Sequence, residues 1–322
     1  MLAGKPPMET NRMSTVITDP FAHPAFFYRG HAEYLSGTVP FITDALAAGE
    51  PVAVVVPSAQ LAILRSALGQ AARDVRLLDM TVVGRNPGRI IPGVLRAFAD
   101  KHPDRHVRII GEPIWPERSA AEYPACAQHE ALINDAFSGR RVTILCPYDA
   151  ARLDEHVLAD AARTHPVLVD DNGTRDSRWF APASVITAYN NPLPPPSHAQ
   201  TITVTVAGLT DLRNRVTDFG RRRGLTTSRT QDLVLAITEL ATNSIEHALS
   251  TATVLLGGTG DDVVCQVRDT GHIADPLAGR RPATVNQGRG RGLLMVNQLA
   301  DLVRVHTTTT GTTVEVHFTA GC

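Results

Sequence analysis

Between Asn190 and Ser197 the chain reads NNPLPPPS, and no other stretch limits the fold as strongly. Each proline fixes φ and removes a backbone donor, so the run excludes helix and favours an extended polyproline spacer. At 322 residues the chain already exceeds what one hydrophobic core usually organises. The run therefore reads as a boundary, which predicts a flexible leader over residues 1–20, a first domain over 21–185, a linker over 186–199 and a second domain over 200–322.

In the first domain, apolar runs alternate with helical stretches. Val52–Pro57, Val75–Leu78, Val107–Gly111, Val142–Pro147 and Val167–Val169 are short, β-branched and bounded by breakers, as buried parallel strands are. Helical patterns near Glu33–Ala48, Gln60–Ala72, Gly93–Lys101, Tyr123–Phe137 and Ala151–Arg163 lie between them. Strict alternation implies an α/β domain, a parallel sheet with helices on both faces.

The second domain reads as α+β, with helices on one face of a mixed sheet. A strand (Thr201–Val206) precedes two helices (Leu209–Arg223 and one from Thr226 to about Leu249), then strands near Thr253–Gly257 and Asp262–Arg268. A glycine-rich loop over Gly271–Gly290, a short helix to Ala300 and two strands, Leu302–His306 and Thr312–Phe318, complete it.

A net charge of −1 gives no polycationic footprint, which argues against direct nucleic-acid binding. No apolar run is long enough to span a membrane and the first twenty residues lack a signal-peptide core, so the cytoplasm is the expected location. Cys126, Cys146, Cys265 and Cys322 are scattered and form no CxxC pair, which indicates neither a zinc site nor a disulfide framework.

The chemistry concentrates in the second domain. On the helix over Gln231–Ser250, Glu239, Asn243 and His247 recur at i, i+4 and i+8 and fan across roughly 80° of its surface, beside an apolar stripe. Singly, such residues also suit a solvated helix face. As a row they suit a ligand, because a carboxamide oxygen fits Mg²⁺ and a carboxylate one turn earlier fits a general base. Asp269-Thr270-Gly271 ends a strand, where a carboxylate can accept from an adenine amino group. Gly288-Arg289-Gly290-Arg291-Gly292-Leu293 opens a helix, freeing amides and guanidinium donors for phosphate oxygens.

In order and spacing these elements resemble the Bergerat ATP-binding fold of the GHKL (HATPase_c) superfamily. ELATNSIEHA, VRDTG, GRGLLMVNQLAD and GTTVEVHF are most similar to the anti-sigma factor serine-protein kinases. The resemblance implies ATP and Mg²⁺ as cofactors. It makes Glu239 the catalytic base, Asn243 the Mg²⁺ ligand and Asp269 the adenine acceptor. Gly271, Gly288, Gly290, Arg291, Gly292 and Leu293 become nucleotide contacts, with His247 on the same helix and Thr313 as a second adenine contact. One departure is that His272 and Ile273 follow Gly271, so the second glycine of the usual first glycine box is absent.

FAHPAFFYRGHAEYL, PFITDALAAGEPVAVVVP, RIIGEPIW and VTILCPYDAARL resemble the MEDS sensory domain, whose fold is related to RecA-like α/β domains. No GxxxxGK[ST] is present, so a P-loop is not indicated. His23, Tyr28, Glu112, Trp115 and Tyr148 are the candidate sensory-pocket residues, being polar or aromatic groups near strand ends. The combined expectation is a bacterial regulator, an ATP-dependent serine/threonine kinase of an anti-sigma-factor antagonist that also holds a sigma factor. The likeness also implies a homodimer, and an unknown small molecule as the signal. The alternatives are a catalytically silent nucleotide-binding sequestering module, or a histidine kinase, which needs a dimerisation hairpin that the linker does not supply.

Overall fold

The computed structural model describes residues 19–247, 251–260, 262–283 and 291–320. Residues 1–18, the side chain of His247, Gly288, Gly290 and Cys322 lie outside the described set.

The first unit runs β1 (Pro24–Tyr28), α1 (Gly30–Ala47), β2 (Val52–Val56), α2 (Ser58–Leu68), β3 (Arg76–Asp79), α3 (Met80–Val83), α4 (Arg96–Ala99), β4 (Val107–Gly111), α5 (Tyr123–Phe137), β5 (Val142–Asp149), α6 (Glu155–Thr164), β6 (Val167–Asp170), β7 (Gly173–Asp176) and α7 (Pro182–Ala188). Its seven strands lie in the order β3-β2-β4-β5-β1-β6-β7, parallel except for the β6/β7 pair. β2 reads VAVVV and is buried throughout, because helices cover both faces of the sheet. One core packs α1 and α2 on the sheet and a second packs α4, α5 and α6 on the other side.

The second unit runs β8 (Gln200–Val204), α8 (Leu209–Arg222), α9 (Thr227–His247), β9 (Ala252–Gly257), β10 (Asp262–Asp269), α10 (Gly292–Leu299), β11 (Leu302–Thr308) and β12 (Gly311–Thr319). Its five strands order as β11-β12-β10-β9-β8. Every pairing is antiparallel, where a mixed sheet is expected from sequence. The reason lies in the connections: α8 and α9 run out and back between β8 and β9, so β9 returns against β8, and the β11/β12 turn is a hairpin. One face carries a core in which Leu233, Ala236, Ile237, Leu240 and Ala241 of α9 pack on Val254, Val267 and Val316.

The linker is not a free spacer. Gln266 Nε2 donates to Pro194 O at 2.6 Å, and Asn190 exchanges hydrogen bonds of 2.8 and 3.0 Å with the Thr307 backbone. The prolines therefore run extended, as their φ requires, along the helix-free side of the second sheet. Among the described helices, none is long and apolar enough to cross a membrane.

Candidate nucleotide site

The apolar stripe of α9 sets its rotation, which brings Asn243 and Ser244 to the edge of the sheet. There β10, paired on both sides, ends at Asp269. Ser244 Oγ donates to Asp269 Oδ2 at 2.6 Å, and the Gly271 N–H donates to Oδ1 at 2.7 Å. The carboxylate is thereby fixed in orientation while lone pairs remain for another donor. Thr312 Oγ1 donates to Gly271 O at 2.8 Å, and the Ile273 N–H donates to Thr307 Oγ1 at 3.0 Å. These two threonines tie down the loop that follows Asp269.

A cavity of about 580 Å³ opens here, lined among others by Leu240, Asn243, Asp269, Ile273, Gly292 and Val314. Its volume lies in the range of small-molecule sites, and a few polar groups converge on an otherwise apolar wall. Gly292, Leu293 and Leu294 of α10 line it too, so this helix presents its N-terminal end, where backbone N–H groups lack helical partners. A Cβ on Gly292 would stand 2.6 Å from Asn243 Nδ2 and 3.2 Å from Glu239 Oε2, so any larger residue would push α10 back or turn the Asn243 carboxamide aside. Asn243, Asp269, Gly271, Gly292 and Leu293 thus share one cavity. A carboxamide, a fixed carboxylate, an apolar slot and a helix N-terminus are the donor and acceptor set that a magnesium nucleotide needs, so the residues fit that group. Arg291 occupies the N-cap position of α10.

Two expected contacts lie elsewhere. Thr313 is on the opposite face of β12, and Thr312 takes the cavity position. Alternation along the strand explains it: Val314, Val316 and Phe318 point to the core, so the residue two before Val314 shares their face. That apolar parity was present in the sequence and identifies Thr312. Glu239 lines a neighbouring cavity of about 410 Å³ with Arg213, Arg221 and Thr230, although its carboxylate adjoins Gly292. Sequence reasoning passed over Ser244 and Thr307, whose partners are distant in the chain.

The five candidate sensory residues do not share a pocket. Tyr28 ends β1 and donates to Glu112 Oε1 at 3.2 Å, beside a cavity of about 160 Å³ that Tyr28, Tyr34 and Asp149 line. Burial, above all, pushes the Glu112 carboxyl well above its ordinary value, and burial beside that group raises the Tyr28 hydroxyl too. His23 precedes β1 and so sits at the other end of the strand, where it is fully buried. The Tyr148 ring meets His165 edge-on at 5.6 Å. Trp115 packs under the Arg118 guanidinium at 4.1 Å from its ring centroid, a packing contact outside both regions. Alternation along the strands is the reason for the division: Tyr148 pairs beside Phe27, next to Tyr28, but Tyr28 points into the core under α1 and α2 while Tyr148 points into the core on the other face.

Two family models match the chain, one on each unit. Residues 22–166 match MEDS, the MEthanogen/methylotroph, DcmR Sensory domain, and residues 202–318 match the Histidine kinase-like ATPase domain. The chain joins these two domains. No curated protein matches it. Among solved structures, the RsbU and RsbW domains of a Mycobacterium tuberculosis protein align at 23% identity over 38% of this chain and 33% of that one, with a TM-score of 0.30. The chain thus covers about a third of that relative. The SiaB-SiaC complex from Pseudomonas aeruginosa aligns at 12% identity over 37% of this chain and 88% of that one, with a TM-score of 0.31.

Proposed function

We propose that the C-terminal domain binds ATP with Mg²⁺ in the cavity between α9, β10 and α10, and passes a phosphoryl group to a serine or threonine of an anti-sigma-factor antagonist. The N-terminal domain acts as the sensor of this cytoplasmic regulator. The reading is supported above all by the convergence of Asn243, Asp269 and the N-terminal end of α10 on one cavity. Asp269 accepts from the adenine amino group, Asn243 holds the cation, Arg291 and the amides opening α10 meet the phosphates, and Glu239 takes the proton of the partner's hydroxyl. When bound, Mg²⁺ neutralises charge on the phosphate oxygens.

Sensory control is supported by the loop that forms one cavity wall. Leu277, Ala278, Gly279 and Arg281 line the nucleotide cavity, and Leu277 is at the same time buried in the core of the first domain. Arg280 is buried as well, and that burial pulls its guanidinium down to about 10.

One observation favours a second reading, a sequestering module tuned by nucleotide without transfer: Glu239 lines the neighbouring cavity and not the nucleotide cavity. Thermal shift of the full chain with Mg-ATP and Mg-ADP tests binding. At about 100 times the dissociation constant, stabilisation of about 2.7 kcal/mol is expected, and Asp269→Asn should abolish it. If neither nucleotide shifts the melting temperature, ATP binding is wrong. If both do and labelled phosphate never reaches candidate antagonists, or reaches them equally with Glu239→Ala, the transfer step is wrong and the sequestering module stands.

A further inference from the structure

Four donor side chains that the nucleotide site does not use meet in the first domain. His23 precedes β1, Glu130 lies in the middle of α5, Cys146 lies in β5 and His165 closes α6. All four are buried to 1% exposure or less. Their donor atoms all lie within 4.8 Å of one another. We propose that His23, Glu130, Cys146 and His165 form a closed tetrahedral site for a divalent transition metal, zinc first.

The separations suit a metal between the groups. In a tetrahedral zinc site the ligand–ligand edge is about 1.6 times the bond length, hence about 3.3 Å between nitrogen or oxygen donors and about 3.5 Å from nitrogen to sulfur. His23 Nε2 lies 3.4 Å from Cys146 Sγ and 3.6 Å from Glu130 Oε2, and His165 Nε2 lies 3.0 Å from Glu130 Oε2.

The surroundings fix which nitrogens face inward as lone pairs. His165 Nδ1 lies 2.9 Å from Ala161 O, a backbone carbonyl that can only accept, so the proton sits on Nδ1. Asn134 Nδ2 donates to the carbonyls of Ala131 and Thr164, which leaves its Oδ1 as acceptor for His23 Nδ1 at 3.2 Å. Both imidazoles are therefore held as metal-ligating histidines are, with the outer nitrogen donating to an oxygen and the inner one free of its proton. No well-directed hydrogen bond reaches either Glu130 oxygen or His165 Nε2 among the described residues. Lone pairs thus face a buried carboxylate, an arrangement that a cation resolves. A dication with one carboxylate, one thiolate and two neutral imidazoles sums to zero charge, the condition a site without water requires. The mixed oxygen, sulfur and nitrogen set suits borderline Zn²⁺ over Ca²⁺ or Mg²⁺, and four protein ligands leave no open position, as in structural rather than catalytic zinc sites. Cysteine spacing gave no sign of this, because spacing detects ligands supplied by one hairpin and these come from four separated segments.

The competing arrangement is proton-based, with His165 charged against Glu130 and no metal. Metal analysis of the dialysed full chain, purified from zinc-supplied cells, separates them: about one zinc per chain is expected, with a melting temperature that falls on chelation and returns on adding Zn²⁺. Exchange with Co²⁺ should give the ligand-field absorption of a tetrahedral site and a thiolate charge-transfer band. Cys146→Ala should lose that band, and Cys265→Ala, in the other domain, should keep it. Metal that dialyses away together with a Co²⁺ spectrum lacking the sulfur band overturns the site, as does a band that survives in folded Cys146→Ala. If Cys146→Ala fails to fold, the wild-type zinc content and Co²⁺ spectrum decide alone.

Discussion

Glu112 is a buried acid with no cation at hydrogen-bond distance among the described residues, and this shapes how the first domain responds to pH. Burial, reinforced by the Asp149 and Glu117 carboxylates, raises its folded value well above the ordinary 4.5. Below 4.5 folded and unfolded chains both hold the proton; above it only the folded chain does, so stability falls as pH climbs toward the raised value, by about 1.4 kcal/mol per pH unit. Glu112→Gln removes that dependence. Its melting temperature should match the wild type near pH 4.5 and exceed it increasingly as pH rises above that value. Melting curves whose difference does not change with pH would show that Glu112 ionises in the fold. Ser244 offers a second test: Ser244→Ala removes the donor to Asp269 Oδ2, and an interaction with a carboxylate of about 1.5–3 kcal/mol predicts nucleotide binding weaker by a factor of about 10 or more in calorimetry. An unchanged dissociation constant would mean that the Gly271 amide alone orients Asp269. Asn243 and Asp269 were legible from sequence because side-chain type and chain position together carry their chemistry. Ser244 was not, since its role depends on a partner 25 residues away.

Elements were legible where periodicity was long and went unseen where it was short. Tyr123–Phe137 is helical over the span its pattern predicts, and ten of its residues are buried because the helix packs into two clusters, one against the sheet and one against α7. β1 went unread: PAFFY is brief and opens with proline, yet it pairs with β5 and β6 in the middle of the sheet. Proline is compatible there because it holds the first position, where a missing donor costs least. β7 also escaped notice, being fully exposed at an edge where no burial imprints an apolar pattern. Between α9 and α10 the contact is set by a glycine. Gly292→Ala brings a Cβ to 2.6 Å from Asn243 Nδ2, so α10 must retreat or the carboxamide must turn out of the cavity. A cost of about 1–3 kcal/mol in unfolding and at least a tenfold loss of nucleotide affinity are expected together. Loss of stability with full affinity would show that Asn243 does not contact the ligand.

At the scale of the molecule, the two domains are joined by buried polar groups and not by the linker alone. Asn86 is fully buried: its Nδ2 donates to Asn297 O at 2.8 Å, and its Oδ1 accepts from Gly88 at 3.0 Å and Val303 at 3.3 Å. Arg85 reaches across to Asp301 at 3.4 Å, a carboxylate that Arg229 of the second domain's own α9 holds at 2.8 Å. None of this was legible, because the proline run reports where the chain divides and carries no information on how the halves pack. The joint has a direction. α5 holds Glu130 among the four donors and, one residue away, His129, whose imidazole burial and the nearby Arg280 charge help draw down to about 3. Arg280 belongs to the loop whose next neighbours line the nucleotide cavity. Coupling through such a wall is reciprocal: if the first domain biases nucleotide affinity, nucleotide must stabilise the first domain by the same free energy. Mg-ATP should therefore slow amide exchange in α5 as well as in α9 and α10. Leu277→Ala, which empties a position in the first core at a cost of about 2–5 kcal/mol and also trims the cavity wall, should, with Mg-ATP raised to saturation, abolish the protection of α5 while that of α9 persists. Protection confined to residues beyond 200 in the wild-type chain would mean that the two domains share a wall without sharing a signal.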